Sequence, residues 1–355
     1  MIKGNKGEWS ELYVLLYLLG VGKLYAANDK VEKIEDVYFP ILKILRNDSQ
    51  GKVDYLIKNE TEVEILLNDN SIGKFSTETF RTEANHLYNQ IKLGANRAFS
   101  IDRTESFMNR ILAYRLAAPS TDKTDITLQV HDINTGYNPI MGFSIKSELG
   151  NPPTLLNASG ATNFIYEVKG ISDVDMERIN SIDTRTKILD RINEIYNLGG
   201  SIEYKGAAND IFAMNLMLID SRMEDIIAAM LLYSYRNNEI DCTEILKNID
   251  DDNPLNFPRE GFYSFKFKKL LSAIALGMKP SALWDGIDEA NGGYIIVASN
   301  GDVLAYHLYN RNFFEQYLLD NTRLERASTS RHGYASIYKE NDKYYIKLNL
   351  QIRFK

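Results

Sequence analysis

The sequence predicts an α/β chain, of the α+β kind, and three observations support this class. Segments with the 3.6-residue apolar period of helices alternate with short apolar or alternating runs typical of strands. Several of these runs are paired across turn residues, as SNGD separates GYIIVAS from VLAYHLY. One long middle stretch has mainly the helical period. The order of the elements therefore predicts a helical insertion and a β-rich C-terminal part.

The N-terminal part begins with a predicted helix. Its leucines fall on one stripe of residues 8–19, and Gly20 and Gly22 end the pattern. Strands are predicted over 38–45 and in the segments VDYLIK and EVEILL. Two further helices are predicted over about 78–93 and 106–117.

The next elements are predicted as a hairpin and a strand. ITLQVHDI and IMGFSIKS form the antiparallel hairpin around the turn cluster NTGYNP, and NFIYEV is the following strand. The chain is mostly helical over 172–276, and after the SNGD hairpin come a helix near FFEQYLL and the hairpin SIYKENDKYYIKLNLQIRF. We therefore expect a core over 1–170, a mainly helical insertion over 171–290 and a β-rich segment over 291–355.

Composition excludes several kinds of protein. Cys242 is the single cysteine, which excludes an internal disulfide framework and a multi-cysteine zinc site. No apolar run has the length of a membrane helix, and the first residues, MIKGNKGEWSE, do not have the pattern of a secretory signal. The expected location is a reducing cytoplasm, with no membrane partner.

Charge is distributed unevenly. The net charge is −7, which argues against indiscriminate coating of nucleic acid. Residues 321–355 carry four Lys and four Arg against three acids, a net charge of +5, so the preceding residues total −12. A DNA-facing surface and a solvated tail both fit this basic end.

The hairpin KTDITLQVHDINTGYNPIMGFSIKS contains two aspartates upstream of a lysine. With a turn centred on Gly136 and Tyr137, Lys146 would lie opposite Thr127 or Ile126, because paired positions of a hairpin have a nearly constant sum. Asp132 would then lie opposite Met141, roughly 16 Å from Lys146 along the strand. Asp125 begins its strand where the strand of Lys146 ends, so we expect these two side chains to converge.

An aspartate beside a lysine has the chemistry needed to cleave a phosphodiester. The reaction needs a hard cation that neutralises phosphate charge and activates water, and Mg²⁺ prefers oxygen ligands. Asp125 would supply a carboxylate, and Lys146 a positive charge beside the transition state. The side chain of Ile145 would point to the opposite face of the strand from Lys146, into the core.

This arrangement resembles the PD-(D/E)xK nuclease core, a mixed central sheet flanked by helices. Asp125 matches the aspartate of that motif, Ser144 its second acid and Lys146 its lysine. Two positions depart from the motif, since Thr124 replaces the proline and Ser144 replaces the acid. Serine is a poor metal ligand, so the resemblance implies either that a second carboxylate comes from elsewhere in the chain or that one metal site is weak.

Four glutamates are candidates for that carboxylate. Glu8 and Glu11 lie three apart on the first helix, and nucleases of this fold often direct a helical glutamate at the metal. We prefer Glu11, which is deeper in the helix, although acids in a first turn also stabilise a helix by capping. Glu148 shares the strand face of Lys146 and is preferred to Glu167, but a solvent-exposed edge acid is the alternative interpretation.

Longer segments resemble the HpaII family of type II restriction endonucleases. The resemblance is strongest over 4–25, 120–170 and 300–355, including GNKGEWSELYVLLYLL and FSIKSELGNPPTLLNASGATNFIYEV. It implies an Mg²⁺-dependent enzyme that cuts double-stranded DNA at a short palindrome, with CCGG as the type site of the family. It also implies a cognate cytosine methyltransferase that protects the host DNA.

The segment NTRLERASTSRH is the predicted DNA-recognition element. Arginine binds guanine O6 and N7 in the major groove, while hydroxyl groups bind phosphates. The candidate DNA-contacting residues are Arg323, Arg326, Ser328, Arg331 and His332. A polar, solvated loop is the alternative interpretation.

Other functions remain open at this point. A DNA repair or junction nuclease is one alternative, although such proteins are usually smaller and more basic. A catalytically weak DNA-binding protein with the nuclease fold is another, because Ser144 already removes one ligand. Recognition by a monomer and recognition by a homodimer both fit the sequence.

Overall fold

The computed structural model describes residues 1–95, 97–118, 124–133, 135–307 and 311–355. Its internal contacts divide the chain into two compact units. Unit 1 comprises Met1–Pro152 and Asp288–Phe314, and unit 2 comprises Pro153–Ile287 and Glu315–Lys355. These boundaries differ from the predicted ones at 170 and 290. The reason is that, in each unit, a strand that follows residue 290 pairs with a strand that precedes residue 170.

Helices and strands are mixed along the chain, in runs of up to five elements of one kind. In chain order they are α1 (Lys6–Val21), β1 (Lys23–Ala27), β2 (Lys33–Asp48), β3 (Gly51–Ile57), β4 (Glu62–Leu67), β5 (Asn70–Ser76), α2 (Thr77–Leu93), α3 (Asp102–Arg110), β6 (Ile126–Val130), β7 (Ile140–Ser147), β8 (Thr154–Leu156), β9 (Asn163–Lys169), α4 (Asp173–Asn180), α5 (Lys187–Asn197), β10 (Ser201–Ala207), α6 (Asp210–Ile219), α7 (Met223–Asn237), α8 (Cys242–Asp252), α9 (Phe262–Leu276), β11 (Gly293–Val297), β12 (Val303–His307), α10 (Arg311–Asp320), β13 (Thr322–Leu324), α11 (Thr329–His332), β14 (Ile337–Glu340), β15 (Lys343–Asn349) and β16 (Ile352–Phe354). The mixed α/β class predicted from the sequence is confirmed.

Unit 1 is built on one mixed sheet. Within the described residues its nine strands have the order β1-β12-β11-β7-β6-β2-β3-β4-β5. β7 pairs antiparallel with β6 and parallel with β11, so it lies in the interior of the sheet. The N-terminal half of the long strand β2 also pairs with β1, which closes the strands between them into a ring.

Helix α1 fills the core of unit 1. Its first turn is closed by a capping box, in which Asn5 accepts from the Glu8 amide and Glu8 accepts from the Asn5 amide. The helix ends at Gly22, whose φ of 72° is a left-handed conformation that favours glycine. The predicted leucine stripe is buried, and so is most of the opposite face, from Trp9 to Leu18. A helix that is apolar all round belongs inside the core, where each buried leucine contributes about 2 kcal/mol.

Unit 2 combines helices with two smaller sheets. Among its described strands one sheet has the order β10-β9-β15-β14 and the other the order β13-β16-β8. Helices α4 to α9 account for most of the predicted helical stretch, but β10 interrupts it. The predicted helix over 106–117 is also wrong in extent, since α3 covers Asp102–Arg110 and a turn follows it. In the described part of the chain, no helix is both long and apolar enough to span a bilayer.

Candidate active site

The β6–β7 hairpin has a different register from the predicted one. Ile126 pairs with Phe143, three to four residues before its predicted partner, and Asp132 faces Tyr137 instead of Met141. The chain reverses earlier because Asp132 organises the loop. Its carboxylate accepts from the Thr135 hydroxyl over 2.7 Å, and its amide donates to the Tyr137 carbonyl over 2.9 Å. The predicted turn centre on Gly136 and Tyr137 is therefore wrong.

The observed register places Asp125 opposite Ser144. The Asp125 amide donates to the Phe143 carbonyl over 2.9 Å. Asp125 Oδ2 accepts from Ser144 Oγ over 3.0 Å and from the Ile145 amide over 2.6 Å. Lys146 Nζ in turn donates to Ser144 Oγ over 3.0 Å. The structure thus brings Asp125 and Lys146 together through the hydroxyl of Ser144.

The position of β7 in the sheet fixes these side chains. Ser144 is 4% exposed, and Ile145 packs into the hydrophobic core on the other face of the strand. The Lys146 ammonium lies 5.3 Å from the centre of the Tyr294 ring, on the neighbouring strand β11. This cation–π contact restrains the lysine without neutralising its charge.

Thr124, at the predicted position of the motif proline, lies against β7. Its hydroxyl donates to the Glu289 carbonyl over 3.1 Å. Its side chain approaches Gly142 so closely that a Cβ at this glycine would lie 2.6 Å from Thr124 Oγ1. A larger residue at 142 would therefore displace the segment that carries Asp125.

A cavity of about 590 Å³ opens beside this group within unit 1. Acidic residues from α1 and the start of β6 line it together with basic residues from β2, β3 and the segment after α3. The polar lining residues include Glu11, Asp125, Thr124, Arg46, Lys52 and Arg115. The cavity thus combines carboxylates with cations, which is the composition expected for a site that takes a metal ion and a phosphate.

Glu11 faces this cavity in an environment that disfavours its charge. Burial and the neighbouring charge of Asp125 raise the pKa of Glu11 to about 8, against the lowering effects of the Ala118 amide, Lys146 and Arg46. Glu11 Oε2 accepts from that Ala118 amide over 3.0 Å. Two carboxylates that oppose each other's ionisation in this way would be stabilised by a cation between them.

The two carboxylates fit an Mg²⁺ site. Glu11 Oε1 and Asp125 Oδ1 form no hydrogen bond to any described residue, so each leaves an oxygen for a metal ion. The described residues contain no group of three or more His, Cys, Asp or Glu side chains arranged as a metal site. Mg²⁺ commonly uses one or two carboxylates and completes its shell with water and substrate oxygens, so a two-carboxylate set is sufficient.

The other candidate acids have different environments. Glu8 closes the capping box of α1 through the Asn5 amide and is absent from the cavity lining. Glu148 is exposed and accepts from the Ser299 amide over 2.9 Å. Glu167 belongs to unit 2, where it forms a salt bridge of 2.9 Å with Lys205.

The predicted DNA-contacting residues lie in unit 2 and differ in their environments. Arg323 is on β13, with Nη2 3.5 Å from Glu325, and Ser328 precedes the short helix α11, which carries Arg331 and His332. Arg331 is exposed and forms no hydrogen bond to a described residue.

Arg326 has its guanidinium group inside unit 2. It donates to the carbonyl and hydroxyl of Ser234 over 2.8 and 2.9 Å and to the Glu239 carbonyl over 3.3 Å. Its guanidinium carbon lies 4.0 Å from the centre of the Tyr235 ring. These contacts are those of a structural arginine, so among the three arginines Arg331 is the most available to DNA.

Sequence reasoning missed the basic side of the cavity. Arg46, Lys52 and Arg115 come from positions far from the hairpin, and no local motif marks them. The one pattern in the sequence that could have indicated them is the segment RND at the end of β2, where Arg46 lies two residues before Asp48. In the structure the Asp48 side chain is fully buried. A buried acid next to an arginine indicates an ordered charge pair.

Comparisons with known proteins identify the family of the chain. The family model for HpaII restriction endonuclease matches residues 5–354. The chain is 40% identical to the type II restriction enzyme HpaII of Haemophilus parainfluenzae over 357 aligned positions, which cover 99% of this chain and 98% of that enzyme. No solved structure matches the chain. The length and identity of these matches show that the chain belongs to the HpaII family of type II restriction endonucleases.

Proposed function

We propose that the chain hydrolyses double-stranded DNA at a short palindrome with Mg²⁺ as its cofactor, and that the palindrome is CCGG. One observation carries the proposal. The carboxylates of Asp125 and Glu11 line a single cavity, and Asp125 is linked through Ser144 to the ammonium of Lys146. The membership of the chain in the HpaII family supports DNA as the substrate. CCGG is the site that the family resemblance implies.

Each side chain has a defined role in this proposal. Asp125 and Glu11 would hold the metal, which neutralises charge on the phosphate and lowers the pKa of water when bound. Lys146 places a positive charge beside the reacting phosphate, where it stabilises the additional negative charge of the transition state. Ser144 would act as a positioning residue, because its hydroxyl contacts both Asp125 and Lys146.

The same proposal concerns the partners of the chain. A site-specific nuclease is tolerated in a cell only where the host sites are protected, so we expect a cognate cytosine methyltransferase and action in the cytoplasm. A palindrome presents two equivalent half-sites, which a homodimer would match by symmetry. Sedimentation of the protein with a cognate duplex would distinguish a monomer from a homodimer.

Digestion of a plasmid that contains CCGG sites tests the proposal. We expect cleavage with Mg²⁺, fragment ends that map to CCGG, and no cleavage after chelation of the metal or after cytosine methylation of the site. Cleavage at a different sequence would contradict CCGG but leave the metal-dependent nuclease intact. Cleavage that is independent of sequence would favour a repair or junction nuclease.

A second candidate is a DNA-binding protein with weak or no catalysis. Ser144 favours it, because the second acid of the motif is absent from β7. This candidate predicts tight, specific binding of CCGG duplexes with no cleavage under any divalent metal.

A further inference from the structure

The basic side of the cavity has no assigned role. Arg46, near the end of β2, and Arg115, in the segment after α3, line the same cavity as Glu11 and Asp125. The side chain of Arg46 is 18% exposed, and the Arg46 charge acts on Glu11. Arg46 therefore lines the cavity that also contains the carboxylates of the proposed metal site.

A buried aspartate fixes both arginines. Asp48 has a side chain with 0% exposure, and its Oδ2 accepts from Arg46 Nε over 3.0 Å while its Oδ1 lies 3.6 Å from Arg115 Nε. Oδ2 also accepts from the Tyr114 amide, and Oδ1 from the Ser49 amide. Each arginine is further held through Nη2 by a backbone carbonyl, Arg46 by that of Arg115 and Arg115 by that of Asn47. The two guanidinium groups are thus ordered before any ligand binds.

The arginines retain capacity for an anion. Neither Arg46 Nη1 nor Arg115 Nη1 forms a hydrogen bond to a described residue. Asp48 carries one negative charge and the two arginines carry two positive charges, so the cluster keeps a net positive charge. Lys52, the other cation of the cavity, differs, since it forms salt bridges of 3.0 Å with Asp54 and 3.2 Å with Asp69. An ordered, incompletely neutralised guanidinium pair matches the geometry and charge of a phosphate.

We propose that Arg46 and Arg115 bind a backbone phosphate of the DNA strand beside Glu11 and Asp125, and that Asp48 is the positioning residue for both. This inference rests on the proposed function, because it requires DNA in the cavity. A phosphate is favoured over a guanine edge, because the carboxylates that line the same cavity need a phosphodiester next to them. The two arginines thereby set the position of the strand along the site.

The test is binding of the full chain to a cognate CCGG duplex in Ca²⁺, with single phosphates replaced in turn by neutral methylphosphonates. At the contacted phosphate we expect the replacement to weaken wild-type binding by roughly tenfold, the effect of one charged hydrogen-bonded contact. Arg115→Ala should weaken binding of the unmodified duplex by a similar factor. Replacement of the contacted phosphate by a methylphosphonate should then cause little further loss of affinity in this variant. Arg115→Ala should also reduce the salt dependence by about one unit.

Further variants separate positioning from folding. Arg46→Lys keeps a charge beside Asp48, so it should fold and still lose most of its sensitivity to the same methylphosphonate. Asp48→Asn should reduce that sensitivity too, whereas a merely structural role would lower the melting temperature and leave the sensitivity unchanged. Arg103→Ala is the matched control, since Arg103 lies on α3 outside the cavity lining and forms a salt bridge with Glu83.

The outcomes distinguish this inference from the proposed function. The wild-type chain could cleave at CCGG while the losses of affinity caused by Arg115→Ala and by each methylphosphonate simply add. This result would overturn the phosphate contact and leave the proposed function intact. A loss of discrimination between CCGG and other sequences, with unchanged methylphosphonate sensitivity, would also overturn the phosphate contact and would identify base contacts. If the wild-type chain neither binds nor cleaves the duplex, the proposed function and this inference both fail.

Discussion

Ser144 donates its hydroxyl proton to Asp125 Oδ2 over 3.0 Å. Ser144 Oγ also accepts from Lys146 Nζ, so the side chain at the predicted position of the second motif acid connects Asp125 with Lys146. A carboxylate at this position would ligate the metal directly. In the proposed site a carboxylate from another element would take this role, and Glu11 on α1 lines the same cavity as Asp125.

Removal of this hydroxyl is expected to slow cleavage without unfolding the chain. Ser144→Ala leaves Lys146 and Asp125 without their shared partner, and a hydrogen bond to a charged group is worth about 1.5–3 kcal/mol. We therefore expect kcat to fall by roughly tenfold or more, with KM nearly unchanged. Ser147→Ala is the matched control on β7, because Ser147 accepts from Ser10 over 2.8 Å and is not part of the Asp125–Lys146 contact. Equal kcat values for both variants would contradict a positioning role for Ser144.

The two charged residues of the hairpin should be needed for the chemical step alone. We expect Asp125→Ala and Lys146→Ala each to lower kcat by roughly 10²–10³-fold or more, because each removes charge stabilisation in the transition state. Binding of the cognate duplex in Ca²⁺ and the melting temperature should change much less in both variants. Asp132→Asn is the comparison, since Asp132 is buried in the loop and bonds Thr135. Loss of cleavage in Asp132→Asn with retained cleavage in Asp125→Ala would place the site elsewhere.

The sequence predicted the strands of this site better than their register. The predicted segment IMGFSIKS coincides with β7, since its apolar residues are bounded by turn residues on both sides. The predicted register was wrong because the Asp132 side chain stabilises a chain reversal that begins before the predicted turn at Gly136. Asp125 still faces the site, since the first residue of one strand lies near the last residues of its partner in either register.

Elements that depend on distant partners were harder to predict. β10 was missed inside a helical stretch because its strand conformation comes from pairing with β9, not from a strong local pattern. The Arg46–Asp48–Arg115 cluster was missed for a related reason. Its members meet only after the segment following α3 packs against the end of β2.

The raised pKa of Glu11 would make metal binding at the proposed site depend on pH. Below its pKa of about 8 the carboxyl is protonated, and a cation must displace this proton to bind. We therefore expect the Mg²⁺ concentration for half-maximal cleavage to fall as pH rises toward 8. In Glu11→Gln this concentration should be higher, and its dependence on pH should be weaker. Glu8→Gln is the control, and an identical metal titration for the wild type and Glu11→Gln would move the ligand role to Glu148.

The same group affects the stability of the metal-free protein. Between the ordinary carboxyl pKa of 4.5 and about 8, the folded chain holds a proton at Glu11 that the unfolded chain has released. The unfolding free energy contributed by this group therefore falls as pH rises through that window. We expect Glu11→Gln to melt at a higher temperature than the wild type above pH 8, with the difference disappearing toward pH 4.5. A constant difference across this range would contradict the assigned pKa.

Arg326 should act on folding and not on sequence recognition. Its guanidinium bonds Ser234 and Glu239 and lies over Tyr235 inside unit 2. Arg326→Ala removes these hydrogen bonds and the contact with the Tyr235 ring from the interior of unit 2, so we expect a loss of roughly 2–4 kcal/mol in the unfolding free energy. Denaturant titration measures this loss. A stable variant with changed preference among DNA sequences would instead support the DNA-contacting role predicted from the sequence.

We expect Arg331 to be the base-contacting arginine of this segment, because it is exposed on α11 and forms no hydrogen bond to a described residue. A base-reading arginine contributes about 1–3 kcal/mol of discrimination against the wrong base. We expect Arg331→Ala to weaken binding of the CCGG duplex in Ca²⁺ by that amount and to leave binding of a scrambled duplex nearly unchanged. A phosphate-contacting arginine would behave differently, since its loss weakens both duplexes equally and lowers the salt slope by about one unit.

The matched control for this measurement is Arg185→Ala. Arg185 is also exposed and lies in unit 2, so its removal changes the net charge of that unit by the same amount. A general electrostatic effect would weaken binding equally in both variants, because charge at a distance acts on every sequence alike. A specific loss in Arg331→Ala alone would assign base recognition to α11. Wild-type affinity, discrimination and salt slope in Arg331→Ala would make the segment a solvated loop and direct the search for base contacts to the helices of residues 171–290.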